Sequence, residues 1–472
     1  MAARCDNMLD LCAKLNEIVR EDLSEKHLHT VQSLTKAFRE QEFRDNVERD
    51  VLQTLMEVLS KLSGQLEMSS EPRAVYLQLT AECFRSQRNA CVQCPHNQNL
   101  FRDLGFIKAS LWILNALLRL RLESTGYLFE ALRCGTQFLG NLAVGNQVCK
   151  DDIWMHGFPR LFLDLLDHKD EKTAAYASML LYTSLDSHKV EEMVLRQENL
   201  EVAKKVVGLC RRRPELDWTV LIVTQHFLKS TKLFEKLFVE VSSQERVTLL
   251  ELLSAQLAED CGLPAGLADF LVSFFLDSSK AVLGLASCPS GPSCAEEEAL
   301  TPIRLLDTLC EMTSDRKPFV FLQDHPTLLR TAVELLKEVH FLGKTGDNIF
   351  SARQDFSAAG LASHPAASFK AHLVRLVGNL CHANTRNQNQ VREMDGIALL
   401  LDNCSIDSNN PFIGQWAIFA LRVILDQNQE NQNVVRALER RGVADDSALR
   451  EMGFRLEERD GSFLLKPVRE DP

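Results

Sequence analysis

Glycine and proline are scarce in this chain. Of its 472 residues, 21 are Gly and 14 are Pro, whereas globular proteins average about 7% Gly and 5% Pro. An all-β protein of this length needs many tight turns, and these two residues build most of them. A single hydrophobic core does not usually extend over so long a chain. The composition therefore excludes a turn-rich β fold and favours an array of long helices joined by short loops.

Positive charge and base-stacking aromatic residues are also lacking. The formal net charge is -12, and the chain has only four Tyr and four Trp. Affinity for nucleic acid comes largely from a basic surface and from aromatic side chains that stack on exposed bases. We therefore expect no nucleic-acid partner.

Long uninterrupted apolar runs are absent as well. Charged residues interrupt residues 1–22, so the apolar stretch of a secretory leader is missing. The apolar segment 111–122 contains Asn115, Arg119 and Arg121 and is shorter than the roughly 20 residues that a membrane span requires. We expect a protein that is not secreted and has no membrane span. Its 14 cysteines should then be reduced, mostly buried thiols.

Sequence patterns of catalysis are missing too. The chain has no Gly-x-Ser-x-Gly, no His-Glu-x-x-His and no dinucleotide-binding fingerprint. We expect no enzymatic activity, no cofactor, and no catalytic or metal-binding residues. The one tempting pattern is Cys91-x-x-Cys94, but a zinc site would need a second such pair, which the chain lacks. Two buried thiols at a helix end are the favoured interpretation, and a redox protein using Cys91 and Cys94 is the alternative.

A recurring frame is the most informative feature that the chain does contain. In three segments, the triplet Asn-Gln-Asn comes eight residues after the first position of the frame. The segments begin at Asn89, Asn379 and Val423, their triplets are residues 97–99, 387–389 and 431–433, and a tighter fourth copy covers residues 140–147. Neighbouring copies lie about 44 to 52 residues apart, close to the period of armadillo and HEAT repeats.

Each copy has the same order of helices and turns. An amphipathic helix ends at an Asn-rich turn, whose carboxamides can satisfy free carbonyls and cap the next helix. A short helix follows, is stopped by Gly105 in one copy and Gly396 in another, and precedes a longer apolar helix. This order of a short helix, Gly and a long helix is the armadillo pattern. The predicted fold class is therefore all-α: an armadillo/HEAT-like α-solenoid in two lobes, with a short C-terminal β-hairpin.

Breaks in the rhythm divide the chain into parts. The Pro- and Glu-rich linker near residue 290 separates the lobes, and a loop rich in Gly, Ser and Ala begins at Gly343, which should stop a helix. The predicted parts are an N-terminal helical cap (1–70), lobe 1 (71–286), the linker (287–299), lobe 2 (300–453, with the loop 343–365), and a C-terminal hairpin and tail (454–472).

The hairpin is predicted from the last of these parts. Residues 454–466 alternate loosely between apolar and polar on both sides of Asp460-Gly461. Asp-Gly between two alternating runs is a strong hairpin signal.

The repeated Asn positions carry the binding hypothesis. In armadillo proteins the third helix of each repeat lines a groove, where an Asn can hydrogen-bond the backbone of an extended peptide. The candidate residues are Asn89, Asn141 and Asn379, together with Arg85, Gln137 and Arg375, which stand four positions before them. The alternative is that the Asn side chains close the local helix end.

Several segments resemble the ataxin-10 family. They are residues 82–91, 133–142, 303–313 and 372–381, followed by 395–397, 402–404 and 410–412. The resemblance covers roughly residues 75–470 and implies a non-enzymatic armadillo scaffold. An importin-like cargo adaptor binding extended peptides is the alternative function, although that family places Trp four residues before the Asn and this chain does not.

The resemblance further implies biological roles and partners. The implied partners are the O-GlcNAc transferase, a G-protein β subunit, mitotic kinases and further copies of the chain. The implied roles are neuron survival and neurite outgrowth through Ras and MAP kinase signalling, and cytokinesis. The implied locations are the cytoplasm, the perinuclear region, the midbody, and the centriole or cilium basal body.

Overall fold

The structure is a computed structural model that describes most of the chain. The described residues are 2–68, 72–120, 126–259, 262–287, 294–314, 317–353, 364, 366–438, 450, 454–459 and 462–467. They form α-helices, three 3-10 segments and one pair of strands. The chain divides into two compact units, Met1–Gln256 and Leu257–Pro472.

The first unit is helical throughout its described residues. Its helices are α1 (Ala2–Arg20), α2 (Lys26–Ala37), α3 (Gln41–Asp45), α4 (Arg49–Glu67), α5 (Ala74–Ala90), α6 (Pro95–Asp103), α7 (Phe106–Arg119), α8 (Gly126–Ala143), α9 (Gln147–Gly157), α10 (Arg160–Leu166), α11 (Glu171–Ser184), α12 (Ser187–Glu192), α13 (Gln197–Arg212), α14 (Asp217–Gln225), the 3-10 segment η1 (Phe227–Lys229), α15 (Thr231–Glu240) and α16 (Ser243–Ala258), which crosses the division.

These helices stack in rows. One row runs through α2, α5, α8, α11 and α14, and a second through α1, α4, α7, α10 and α13. Fully buried phenylalanines connect neighbouring helices: the rings of Phe101 on α6 and Phe138 on α8 meet edge-on at 5.6 Å, and Phe84 on α5 stacks on Phe138 at 6.3 Å. Three consecutive helices form one repeat, for example α5–α7, and each repeat packs against the next one, here α8–α10. Packing of each repeat on its neighbours is how a repeat array is stabilised.

The Gly residues between short and long helices have two different roles. Gly105 stands between α6 and α7 with φ of 86°, a left-handed conformation that suits Gly, as predicted. At the second position the left-handed residue is Asp395, with φ of 55°. Gly396 is needed instead for close packing, since a Cβ there would lie 2.6 Å from Cγ1 of Val391.

The second unit contains the remaining helices and the strands. They are α17 (Ala265–Ser278), η2 (Ser279–Ser287), α18 (Cys294–Thr313), η3 (Lys317–Asp324), α19 (Leu328–Thr345), α20 (Phe369–Cys381), α21 (Thr385–Glu393), α22 (Gly396–Asp402), α23 (Ile413–Leu425), α24 (Gln429–Arg436), β1 (Phe454–Arg459) and β2 (Ser462–Pro467). Here α18, α20 and α23 form the row, with α19 and η3 packed beside it.

Three predicted boundaries differ from the observed ones. Helix α18 already begins at Cys294, so the Glu-rich part of the predicted linker 287–299 is helical, and residues 288–293 lie outside the described part. The two units divide after Gln256 rather than near residue 290. Gly343 does not stop its helix, because α19 continues to Thr345; most of the predicted loop beyond it, 354–363, lies outside the described residues.

The C-terminal strands confirm the predicted hairpin. β1 and β2 pair antiparallel in a register that sets Phe454 opposite Pro467 and Arg459 opposite Ser462. The predicted all-α solenoid with a short C-terminal hairpin is thus observed in the described residues.

One segment of the second unit has the length and composition of a membrane span. Ala265–Ser287 has a mean hydropathy of 1.4 over its most apolar window. Its buried residues include Leu271 and Phe275, and α17 packs on α18 and η3. A single such segment is weak evidence of a span, because apolar core helices share these properties.

Candidate functional site

The Asn-Gln-Asn triplets join neighbouring repeats. In each copy, Nδ2 of the first Asn donates to a carbonyl of its own repeat and to one of the preceding repeat. The three residues and their acceptors are Asn97 (Ala90 at 3.0 Å, Arg44 at 2.9 Å), Asn387 (Leu380 at 2.8 Å, Gln323 at 2.8 Å) and Asn431 (Ile424 at 2.9 Å, Gln388 at 3.1 Å). The recurring frame is therefore a structural element that satisfies carbonyls at the ends of helices.

The Gln of the first triplet bonds in the opposite direction, to the next repeat, whereas Gln388 donates to Cys381 O of its own repeat and to Val423 O of the next, and Gln432 donates to Leu425 O of its own repeat. Nε2 of Gln98 donates to the carbonyls of Asn141 and Val144, at 2.9 and 3.0 Å. Gln323 makes the same pair of bonds, to Asn379 and His382, both at 3.1 Å. Sequence reasoning missed Gln323, because no Asn flanks it and η3 carries no recognisable triplet.

The three candidate Asn residues also bridge consecutive repeats. Nδ2 of Asn89 donates to Thr35 O at 3.2 Å and that of Asn141 to Arg88 O at 3.1 Å. Nδ2 of Asn379 donates to Cys310 O and to Oγ1 of Thr313, both at 3.1 Å. These bonds connect helices of adjacent repeats rather than closing the local helix end. In Asn379 both donor hydrogens are used by the fold, so its side-chain oxygen is the atom left for a ligand, whereas Oδ1 of Asn89 already accepts from Arg88.

The three residues four positions earlier have different surroundings. Arg85 is paired with Glu82 and Glu130. Oε1 of Gln137 accepts a bond from Arg88 at 2.6 Å. Nη2 of Arg375 lies 2.9 Å from Oε1 of Glu311, while its Nε is buried and unpartnered among the described residues.

Among the described residues, two of the six candidates line one groove. Asn379 and Arg375 line a groove of about 410 Å³ on the row formed by α18, α20 and α23, which we call the α20 groove. Its walls are Thr313, Ser314, Phe319, Val320, Gln323, Arg375, Asn379, His382, Trp416 and Phe419. Val320 is 54% exposed, and Trp416 and Phe419 are half-buried. The groove therefore offers apolar walls around a few fixed polar groups, as binding sites usually do.

The helix that carries Arg375 and Asn379 is fixed by a neighbouring loop. Oδ1 of Asn410 accepts from the backbone N–H groups of Lys370 and Ala371, at 3.1 and 3.4 Å, and so caps the start of α20. Oδ2 of Asp407 accepts from Nδ2 of Asn410 at 2.8 Å. Burial lowers the pKa of the Lys370 ammonium, which the Asp407 carboxylate partly offsets from 3.6 Å.

An aromatic residue does reach Arg375, though from the next repeat. The guanidinium carbon of Arg375 lies 4.8 Å from the centroid of the Trp416 ring, and Trp416 meets Phe419 edge-on at 5.9 Å. The importin-like alternative needs a Trp face that can receive a cargo cation. Here Arg375 of the same chain already occupies a face of that ring. Sequence reasoning missed Trp416, because the helix that carries it has Val423 in the Asn position.

The cysteine pair lies in the interior. Cys91 and Cys94 are 1% and 3% exposed. Burial raises the pKa of the Cys91 thiol well above its usual value, and the nearby thiols of Cys149 and Cys94 add to this. Among the described residues, no group of three or more His, Cys, Asp or Glu side chains is arranged to hold a metal ion. This environment favours inert thiols.

Comparison with known families matches the C-terminal part of the chain. The model of the spinocerebellar ataxia type 10 protein domain matches residues 369–466. The match runs from the first residue of α20 into β2, so it contains Arg375, Asn379 and Trp416.

Known proteins match over nearly the full length. Ataxin-10 of Bos taurus is 42% identical over 458 residues, which cover 94% of this chain and 95% of that protein. Ataxin-10 of Homo sapiens is 41% identical with the same coverage. Ataxin-10 of Xenopus tropicalis is 40% identical and covers 100% of both chains. The similarity thus extends over the first 70 residues, beyond the start near residue 75 that the sequence segments indicated.

Among solved structures, the crystal structure of an engineered protein covers 88% of this chain and 98% of its own. It is 13% identical, with a TM-score of 0.35. A likeness at that level carries no argument about the fold.

Proposed function

This chain belongs to the ataxin-10 family, and from that premise we propose that it is a non-enzymatic scaffold whose α20 groove holds an extended segment of another protein. The observation that carries the proposal is the distribution of donors and acceptors in the groove. Asn379 and Gln323 have committed their amide nitrogens to carbonyls or a hydroxyl of the fold. Their oxygens are fixed acceptors for backbone N–H groups, and the aromatic walls can bury a side chain.

The family's biology gives the proposal its candidate partners. We propose that the O-GlcNAc transferase, a G-protein β subunit and mitotic kinases are held by this scaffold, and that the chain self-associates. The roles that follow are neurite outgrowth through Ras and MAP kinase signalling, neuron survival and cytokinesis. The corresponding locations are the perinuclear cytoplasm, the midbody and the centriole or cilium basal body.

The test uses a charge placed on the groove wall. Val320 is 54% exposed, so Val320→Asp should leave the fold intact while putting an unpaired carboxylate into the apolar groove. Val239 of the first unit is 56% exposed, which makes Val239→Asp the matched control. Binding of purified O-GlcNAc transferase and G-protein β subunit is measured by biolayer interferometry on full-length protein. We expect Val320→Asp to weaken at least one of these interactions about tenfold or more, with the control unchanged.

Two outcomes would contradict the proposal. If neither partner binds the unaltered chain, these partners are wrong. If both variants bind like the unaltered chain, the α20 groove is not the binding surface.

A further inference from the structure

Three arginines lie near one another on the α5 and α8 row of the first unit, and two of them are neutralised within the chain. Arg85 is paired with Glu82 and Glu130. Arg133 donates from Nε to Oδ2 of Asp170 at 2.8 Å. Each of these guanidinium groups therefore has a carboxylate of the same chain beside it.

Arg88 is the exception. Its Nη1 donates to Oε1 of Gln137 at 2.6 Å, and its Nε and Nη2 donate to Oδ1 of Asn89 at 3.3 and 3.2 Å. Within the described residues, Arg88 makes no ion pair. Two neutral carboxamides therefore hold its guanidinium in place without cancelling its charge.

This arrangement leaves a preorganised cation. Three of the five N–H donors of a guanidinium are used, so two remain for an outside acceptor. The Arg88 side chain is half-buried, and an ionic hydrogen bond is stronger at such a site than in open water. Because Asn89 and Gln137 lie on helices of adjacent repeats, the packing of the repeats already fixes the guanidinium, and little rotamer freedom is left to lose on binding.

Exposed apolar side chains lie in the same region. Val92 and Val144 come three residues after Asn89 and Asn141, in the turns that end α5 and α8, and they are 39% and 58% exposed. Adjacent helices stand about 10 Å apart, which an extended peptide covers in about three residues. An extended segment that reaches Arg88 can therefore also contact the valines.

We propose that Arg88, held by Asn89 and Gln137, binds the carboxylate side chain of an acidic, otherwise apolar extended segment of a partner protein. Charge complementarity supports this assignment, because among the described residues carboxylates pair with Arg85 and Arg133, whereas Arg88 contacts amides alone. This Arg88 site lies in the first unit, so it does not depend on the α20 groove.

The test is fluorescence anisotropy of labelled octapeptides on the full-length protein. One probe alternates Val and Glu, and its neutral counterpart alternates Val and Gln. We expect the Val-Glu probe to bind in a salt-dependent manner and the Val-Gln probe to bind at least tenfold more weakly. Arg88→Gln should weaken binding of the acidic probe about 10- to 100-fold, the range expected for losing a charge-assisted bidentate contact.

A second variant separates loss of binding from loss of structure. Gln137→Glu gives Arg88 a carboxylate of its own, so it should abolish binding of the acidic probe while leaving the urea unfolding midpoint equal or higher. Arg160→Gln is the charge-matched control, since Arg160 is 84% exposed and already paired with Asp164; it should bind the probe like the unaltered chain.

The proposal is overturned if the unaltered chain does not bind the acidic probe, or if the neutral probe binds equally well. It is also overturned if Arg88→Gln and Gln137→Glu both retain full affinity. None of these results bears on the Val320→Asp test, so the two proposals fail separately.

Discussion

Asn431 connects two consecutive repeats through the main chain of Gln388. Its Nδ2 donates to Gln388 O at 3.1 Å and to Ile424 O in its own repeat at 2.9 Å. Its Oδ1 accepts from Nη1 of Arg392 at 2.8 Å. The side chain is fully buried, and its bonds to the two carbonyls are buried as well. The triplet therefore links neighbouring repeats. Its loss should lower the free energy of unfolding rather than weaken the binding of a partner.

Asn431→Ala should lower the free energy of unfolding by about 2–4 kcal/mol, because it removes the three hydrogen bonds of a fully buried side chain. Urea denaturation followed by circular dichroism measures the change. Gln429→Ala is the control, because Gln429 lies on the same helix and its side-chain hydrogen bond to Asn433 is exposed. If Asn431→Ala lowers the free energy of unfolding only as much as Gln429→Ala does, the triplet does not stabilise the contact between repeats.

Asp170 provides a prediction of pH dependence. Burial alone would raise its pKa, but hydrogen bonds from Arg133 and Thr173 outweigh this and lower the pKa to about 2. A carboxylate whose pKa is lower in the folded state contributes stability above its unfolded pKa of about 3.9. That contribution is lost progressively as pH falls from about 5 to about 1, below both pKa values. Asp170→Asn should therefore cost about 1–2 kcal/mol at pH 7, after allowing for solvent screening of the half-exposed partner Arg133.

The difference in stability between Asp170→Asn and the unaltered chain should be constant above about pH 5 and vanish near pH 1. Asn is as good a helix N-cap as Asp, so the cap that Asp170 provides for Thr173 N is retained. Urea unfolding midpoints at several pH values measure the effect. A difference that persists undiminished at about pH 1 would assign it to packing instead of charge.

Thiol reactivity tests the redox alternative for Cys91 and Cys94. Both are buried, and a thiol reacts as its exposed thiolate. Under native conditions, iodoacetamide should modify the exposed Cys404 well before either of them, which mass spectrometry of the alkylated peptides resolves. Preferential alkylation of Cys91 or Cys94 would revive a catalytic or redox role.

Local patterns predicted the elements of the fold, but not the contacts between them. The Asn-rich turns and the Asp-Gly signal predicted helix ends and the hairpin, because those features depend on neighbouring residues. The sequence predicted that Gly396 stops the short helix. Only the packed structure shows that Gly is needed there because Val391 leaves no room for a Cβ. Arg375 contacts Glu311 and Trp416, which lie 64 and 41 positions away from it in the sequence. A single sequence gives no signal for such pairs.

Substitution of Asn379 distinguishes a structural role from a recognition role for the recurring Asn position. The sequence-based hypothesis expects substitution of such Asn residues to weaken partner binding and leave unfolding nearly unchanged. The bonds of Asn379 to Cys310 O and Thr313 Oγ1 lead to another expectation: Asn379→Ala should cost about 1–3 kcal/mol, because a 6% exposed donor is removed from two acceptors. Urea denaturation measures this cost.

Gln390→Ala, a half-buried amide on the adjacent α21, is the control for Asn379→Ala and should change stability by less than about 0.5 kcal/mol. Partner binding is then measured under conditions where both variants are fully folded. If Asn379→Ala unfolds like the control but loses binding, its oxygen contacts the ligand directly and its bonds across the repeats are secondary. If Asn379→Ala is destabilised but the folded variant still binds the partner, Asn379 serves to hold α18 and α20 together. Recognition then depends on the apolar walls of the α20 groove.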